Sequence, residues 1–350
     1  MRARSRAAPC GWLQGRRPTS SRRRARAWHL QSAAYTTHGQ GGAVLPQLAI
    51  VVVSYGSSAL LERHLTATAQ GIPEARVVVV DNWSTVAERT AVARLAVRER
   101  WDLVGLDENS GFGGGVNAGA RHAFDRGAEA LLVLNPDASI DRAGAEALAA
   151  AGDARTLRSP VVRSPSGRTW FSGLDLDLVS GEIRSPKRRG EHPGATPVPW
   201  LSGACLWITR EVWELSGGFD DAYFLYWEDV DLSRRVAERG GSLLVVEDAV
   251  AVHDEGGTHR SAGQRSEAKS ELYYYWNIRN RMRFAADHLD AEGIRRWQRH
   301  SRRAAWRIVM RGGRRQLLRP VPPLRAMLRG LRDGRQIAEE ALIQRASGRP

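Results

Sequence analysis

Residues 48–55 read LAIVVVSY, an apolar run without alternation that Gly56 closes. A strand exposed on one face would alternate. A continuous run of this length predicts a parallel strand covered on both faces. Arg76–Asp81 (RVVVVD), Trp101–Leu106 and Ala130–Leu134 repeat the pattern. Between them apolar residues recur at helical spacing, with Leu60, Leu61 and Leu65 on one side of Ser58–Ala69, and further helices over Val86–Arg100, Val116–Arg126 and Arg142–Ala151. Strands alternating with helices predict an α/β sheet with helices on its faces. Ligands of such sheets bind beyond the carboxyl ends of the strands, where Tyr55, Asp81, Asn82 and Asn135-Pro136-Asp137 fall.

The second half is patterned differently. Residues 158–199 are rich in Pro, Ser and Gly around short β-like pieces such as Thr169-Trp-Phe and Glu182-Ile. They predict an antiparallel hairpin region with a long loop, Ser185–Pro199, as a candidate mobile lid. The apolar run Tyr223-Phe-Leu-Tyr-Trp227 then leads into Glu228-Asp229-Val230-Asp231, and a helix carried by Leu232 and Val236 stops at Gly240-Gly241. Ser242–Val246 and Ala249–Val252 predict strands that end at His253 before a Gly-rich loop. A helix follows over Ser266–Ala286. Beyond residue 290 the chain is Arg-rich, with Trp297, Trp306 and, after Pro320–Pro323, a stripe of Leu324, Met327, Leu328 and Leu331.

The formal charge of +14 is unevenly spread. Residues 1–45 hold nine Arg and no acid, and residues 291–350 hold sixteen Arg against four acids, so the body between them is net −7. A nucleic-acid enzyme lines its site with the basic patch, so this distribution disfavours one; no specific nucleic-acid partner is expected. Basic ends fit an anionic membrane surface, and the amphipathic tail fits a membrane interface or a helical cover on the body equally well. Two cysteines make neither a disulfide framework nor a metal cluster. No run approaches the ~18 apolar residues of a membrane span, and the basic N-terminus lacks the apolar segment of a signal peptide. These features predict a cytoplasmic protein with a disordered extension over 1–45, a body over 46–290 divided near residue 150, and a basic helical segment over 291–350.

Three carboxylates in a helix's first turn suit the macrodipole, and capping alone would account for Glu228. For all three, an aromatic run that leaves them at the floor of a partly apolar cleft favours acid–base chemistry, with Asp229 as general base. Asn109–Asn117 contains Gly113-x-Gly115-x-x-Ala118, a formal dinucleotide fingerprint, but it follows the acidic strand end instead of preceding it. It reads as a flexible loop opening the helix at Val116, or as glycines that let backbone approach phosphate or ribose. Asp137, past a proline-stiffened turn, suits a hard cation and its phosphate ligand.

Seven segments in order resemble glycosyltransferase family 2: Val51-Val-Val-Ser-Tyr, Val80-Asp-Asn-x-Ser84, Asn109-x-Gly-Phe-Gly, Leu134-Asn-Pro-Asp137, Gly203-Ala, Gly217-Gly-Phe-Asp220 and Trp227-Glu-Asp-Val-Asp-Leu-x-x-Arg235. The subset most resembled is the rhamnosyltransferase-like bacterial enzymes of cell-wall and surface polysaccharide synthesis, over about residues 47–285. The resemblance implies a GT-A fold: a Rossmann-like, mostly parallel sheet flanked by helices, joined to an acceptor-binding half, here with a helical basic C-terminal extension. It implies inverting transfer from a nucleotide-sugar donor to a glycan or polyprenyl-diphosphate-linked acceptor, with L-rhamnose from dTDP-rhamnose as the leading donor. Galactofuranose, mannose and N-acetylglucosamine remain alternatives, as does a non-catalytic sugar-binding module. With the acceptor at the inner leaflet, the basic tail is expected to associate peripherally with the inner face of the cell membrane.

By the same resemblance, Tyr55, Asp81 and Asn82 would hold the base and ribose, supported by Asn109 and Gly111. Asp137 and His253 would bind the divalent metal, Mg or Mn. Trp200, Ser202 and Gly203 would shape the acceptor side. Asp229 would be the base, with Glu228 and Asp231 orienting it or binding the acceptor, and Arg279 with Asn280 would lie near the diphosphate. Relatives often carry Asp-x-Asp where this chain has Asn135-x-Asp137. Asn135 still hydrogen-bonds a ribose hydroxyl but adds no charge.

Overall fold

The computed structural model describes residues 31–32, 45–254, 269–318 and 320–347. Nearly all of the N-terminal extension expected to be disordered lies outside them, as does the Gly-rich loop after Asp254. A short strand, β1 (Gln31–Ser32), precedes the first apolar run, which forms β2 (Leu48–Ser54). The next runs form β3 (Arg76–Asp81), β4 (Asp102–Gly105) and β5 (Ala130–Leu134). Every residue of β2 and β5 is buried, as their unbroken apolar pattern requires.

The helices between them are α1 (Ser58–Leu60), continued through a π turn into α2 (Thr66–Gly71), then α3 (Val86–Glu99) and α4 (Gly111–Asp125). Thr85 caps α3 by accepting from the Glu88 N–H at 3.2 Å. The Gly-rich segment read as a loop is the first turn of α4 itself. A Cβ on Gly115 would lie 2.6 Å from Val53 Cγ1, and one on Gly119 would lie 2.6 Å from Val51 Cγ1. These glycines let the helix rest on β2 at a separation that no side chain permits.

The remaining strands are β6 (Ala138–Ile140), β7 (Thr156–Arg163), β8 (Thr169–Phe171), β9 (Leu174–Asp177), β10 (Ile183–Arg184), β11 (Pro197–Trp200), β12 (Cys205–Thr209) and β13 (Ser242–His253). The main sheet runs β1-β13-β7-β12-β5-β2-β3-β4. Neighbours are parallel except at β12, which is antiparallel to both β5 and β7. The two strands expected after Gly241 are one, β13, with a register shift between Val246 and Val250.

A second sheet, β10-β9-β11, is antiparallel. The segment expected as a structureless lid holds a 3-10 turn (Pro186–Glu191) and strand β11. Its Arg189 makes two bonds, of 2.6 and 2.7 Å, to buried Asp175, so it forms an ordered strap.

After α5 (Arg142–Ala150) and α6 (Arg210–Ser216), helix α7 (Glu228–Glu238) carries the acidic cluster. Four helices close the chain: α8 (Glu271–His288), α9 (Ala291–Arg299), α10 (Ser301–Met310) and α11 (Val321–Ala346). Gly330 and Gly334 let α11 lie directly on α8. Trp297 is 0 % exposed and shares a core with Leu176, Tyr223, Trp227 and Ala338, while its indole donates to Leu178 O at 2.8 Å. Trp297 is therefore a core residue, not an interfacial anchor. Met327 and Leu331 likewise pack on the cluster around Tyr274 and Val309.

Candidate active site

The sheet topology gathers the site. The register pairs Ser54 with Asp81 and Val52 with Leu134, so β2, β3 and β5 end at one edge. Because β12 is antiparallel, its beginning meets their ends: Cys205 pairs with Leu134, and the Asn135 N–H donates to Ala204 O at 3.1 Å. Ser202 and Gly203 therefore stand at the same edge. At its far end β13 pairs His253 with Ala138, which sets His253 beside Asp137.

Asp229 lies over Gly203. One carboxylate oxygen accepts from the Gly203 N–H at 2.9 Å and the other from the Val230 N–H at 2.8 Å. A Cβ on Gly203 would lie 3.2 Å from Phe112 and 3.6 Å from Asp229 Cβ. Burial raises the Asp229 pKa to about 6, against the lowering effect of the two N–H donors. Glu228 is 7 % exposed, and its Oε2 has no hydrogen-bond partner. Burial and then the Asp229 charge push it well above the usual carboxylate range. Of the two acids Asp229 is the easier to ionise, because the Gly203 and Val230 N–H groups hold its charge, whereas burial and the neighbouring Asp229 charge favour the protonated form of Glu228.

Asp231 does not join them. Its Oδ1 meets His288 Nε2 at 2.8 Å, and its Oδ2 meets Arg235 at 2.6 Å. Burial raises its pKa, but His288 and Arg235 outweigh burial and hold it low. Two residues on from Asp229, it faces another side of the helix. There it lines a cleft with Ser216, Asp287 and His288. The expected role in orienting the base or binding the acceptor is replaced by fastening α7 to α8.

On the donor side, Tyr55 is 45 % exposed just past β2. Buried Asp81 is paired with Arg89, whose guanidinium also bonds Leu106 O and lies 4.4 Å over the Trp83 ring. Asn82 is fully engaged. Its Nδ2 donates to Asn109 Oδ1 and Gly111 O at 3.0 and 2.9 Å, and its Oδ1 accepts from the Ser110 N–H and hydroxyl. Asn82 and Asn109 therefore build this turn, and the Asn82 amide has nothing left over for a base. Gly111, at φ +78, is pressed on the Phe224 carbonyl, where a Cβ would lie 2.1 Å from the oxygen. Its glycine serves that contact.

Asp137 and His253 are brought together, Oδ1 to Nε2, at 3.1 Å, with Asn135 Nδ2 3.4 Å from the same nitrogen. Neighbouring ligands of one octahedral ion stand about 3 Å apart, so this carboxylate–imidazole pair fits a divalent cation that takes its remaining ligands from a diphosphate and water. Among the described residues no cluster of three or more His, Cys, Asp or Glu could hold a metal.

Arg279, expected near a diphosphate, donates to Ala222 O at 3.0 Å and Asn280 Oδ1 at 2.6 Å. Burial lowers its pKa. Trp200 lies against Phe171 with ring centroids 5.3 Å apart, its indole N–H buried and unpartnered. The Ser202 hydroxyl accepts from the Ala204 N–H at 3.3 Å. Sequence reasoning missed Arg89; its position eight residues after Asp81, on the following helix, was the available signal.

The family model for glycosyltransferase like family 2 matches residues 46–282. An N-acetylglucosaminyl-diphospho-decaprenol L-rhamnosyltransferase of Mycobacterium tuberculosis is 29 % identical over 234 residues, covering 59 % of this chain and 75 % of that protein. A dTDP-rhamnosyl transferase of Shigella flexneri is 24 % identical, covering 58 % and 68 %. The crystal structure of GalNAc-T7 with UDP, GalNAc and Mn2+ superposes with a TM-score of 0.50 at 15 % identity. That match covers 69 % of this chain and 48 % of that one, and it shows a shared fold.

Proposed function

The chain belongs to glycosyltransferase family 2 and has the GT-A fold, and from that premise we propose that it is an inverting transferase with Asp229 as its base. The proposed donor is dTDP-L-rhamnose and the proposed acceptor a lipid-linked saccharide. The names of the Mycobacterium and Shigella relatives support this reading. The observation that carries the mechanism is the buried Asp229 carboxylate on two backbone N–H groups, beside the buried Glu228.

The acceptor hydroxyl gives its proton to Asp229 as its oxygen attacks the anomeric carbon. The new C–O bond forms on the face opposite the diphosphate, whose bond to that carbon breaks. One group on each face suffices, so no second catalytic carboxylate is required, unlike in a retaining hydrolase. Asp137 and His253 would hold a divalent ion, which supplies charge neutralisation at the departing diphosphate. Neutral Glu228 donates a hydrogen bond to the acceptor beside the base. Arg89 and Asp81 fix the floor of the nucleotide pocket next to Tyr55.

The test is release of nucleoside diphosphate across a panel of nucleotide sugars, with Asp229→Asn beside the native chain. We expect dTDP-rhamnose to give the fastest release, and Asp229→Asn to lower turnover by about a hundredfold or more, as removal of a general base does, with nucleotide affinity kept. Near-normal turnover by the variant would move the base elsewhere. Faster release from a galactofuranose, mannose or N-acetylglucosamine donor would reassign the sugar.

A further inference from the structure

The loop that delivers Asp229 is built against the backbone's preference. Phe224, Tyr226 and Trp227 have φ of 61°, 64° and 75°, the left-handed region that side chains other than glycine rarely occupy. Trp227 is the N-cap of α7, and it offers no side-chain hydrogen bond to the helix. A strained approach to an active-site helix persists only if its surroundings over-determine it.

Asn280 supplies that constraint. It is 0 % exposed on α8. Its Nδ2 lies 2.7 Å from Tyr223 O, 3.0 Å from Leu225 O and 2.8 Å from Tyr226 O. Its Oδ1 accepts from Arg279, which also holds Ala222 O. The remaining carbonyl of the run, that of Phe224, points the other way and accepts from the Phe112 N–H at 2.8 Å. The loop is thus gripped on alternate sides. Its rings follow: Phe224 stacks on Trp276 at 4.8 Å, and Tyr226 meets Tyr273 edge-on at 5.3 Å, both on α8.

We infer that Asn280 is a positioning residue for the transfer step, the side chain that sets where α7 begins and so where the Asp229 carboxylate stands over Gly203. The inference rests on the assignment of Asp229 as base. No other side chain serves. Aspartate would set a negative charge against three carbonyl oxygens, glutamine is one methylene too long for a buried site, and alanine removes the side-chain donor from all three, leaving Tyr223 O only its bond from the Leu225 N–H. Asn280 spends its amide on the loop and on Arg279, and Arg279 Nη1 bonds both Ala222 O and Asn280 Oδ1, which accounts for their adjacency.

The experiment compares Asn280→Asp and the gentler Asn280→Ser, which keeps one donor, with the native chain and Asp229→Asn. It uses the donor that the screen identifies and, for binding, dTDP and UDP with Mn2+. A misplacement of about 1 Å can cost a hundredfold in rate. We expect kcat to fall about a hundredfold in Asn280→Asp and about tenfold in Asn280→Ser, while donor KM and nucleotide affinity stay within about threefold. The acid limb of the rate profile should move below about 6, because a loosened loop lets water reach Asp229. A variant that folds and keeps kcat while Asp229→Asn loses it would overturn the positioning role alone. Nucleotide affinity lost with kcat kept would place the pair at the diphosphate. Failure of Asp229→Asn to lose turnover would strike the base assignment instead. Should Asn280→Asp not fold, Asn280→Ser decides by the same readouts.

Discussion

At the scale of single residues, the site is governed by which of two adjacent acids keeps a proton. As the proposed base, Asp229 must be ionised to act, and burial raises its pKa to about 6. We predict that kcat/KM climbs with pH through an apparent pKa of about 6 and is level above it. Asp229→Asn should show no such limb, and a native profile flat from pH 5 to pH 8 would contradict the assignment. Stability runs the other way. A carboxyl raised above its unfolded value contributes stability below that value and loses it as pH rises through about 6. The positions of Asp229, Asp137 and His253 were legible in the sequence because each sits where a strand ends or a helix starts. Asn82, Gly111 and Asp231 were legible as positions but not as roles. Which way a side chain faces in a turn depends on neighbours such as Ser110, Phe224 and His288, far off in the chain or hidden in its fold.

At the scale of elements, the N-terminal strands and helices followed from apolar period alone, and α4 shows where that reasoning stops. Gly111, Gly115 and Gly119 recur every four residues and mark one helix face, yet low helix propensity argued for a loop. Packing overrode propensity, because a face of glycines allows the close approach to Val51, Val53 and Val80. Two opposed magnitudes make a test. Gly→Ala within a helix gains about 1 kcal/mol in propensity, whereas overpacking a filled core costs typically 1–3 kcal/mol. At Gly119 the new methyl would lie 2.6 Å from Val51 Cγ1 and 2.9 Å from Val80 Cγ2. Gly119→Ala should therefore lower the thermal midpoint by up to a few degrees, a net loss of up to about 2 kcal/mol. Gly71→Ala, with nothing within 4 Å, should leave it unchanged or raise it. Equal midpoints for both variants in a melting experiment would show that α4 can yield.

At the scale of the whole molecule, the basic C-terminal helices pack Met327 and Leu331 of their apolar stripe against the cluster of Tyr274 and Val309 and still leave an outer surface. Among its exposed apolar residues are Trp306 at 44 %, Val321 at 61 % and Leu328 at 62 %, with Arg302, Arg303, Arg325 and Arg329 exposed beside them. No described helix is long and apolar enough to cross a membrane. We propose that this surface docks the enzyme on anionic lipid, where each Arg that reaches the surface contributes roughly 1 kcal/mol. Trp297 shares a core with Tyr223 and Trp227 ahead of α7, so the test keeps the full chain. Trp306→Ser with Leu328→Ser should weaken binding to phosphatidylglycerol vesicles about tenfold, and salt should release the native chain only partly, since apolar contact is unscreened. Unchanged binding by the double variant in a vesicle co-sedimentation assay would reduce the tail to a helical cover. The sequence could not choose between these readings, because periodicity shows that a helix has an apolar face and not what covers it.

The antiparallel seam at β12 has a further consequence for how the chain is made. By Leu134 the ribosome has released β2, β3, β4 and β5, a sheet with one edge that only β12 covers. β12 begins at Cys205. At synthesis rates of about 5–20 residues per second, the flank of β5 waits roughly 4–14 seconds for its partner. During that interval an apolar, unpaired strand edge is open to any neighbouring nascent chain. The same crossing that brings Gly203 to the candidate site therefore leaves this edge exposed to aggregation until Cys205–Thr209 are made.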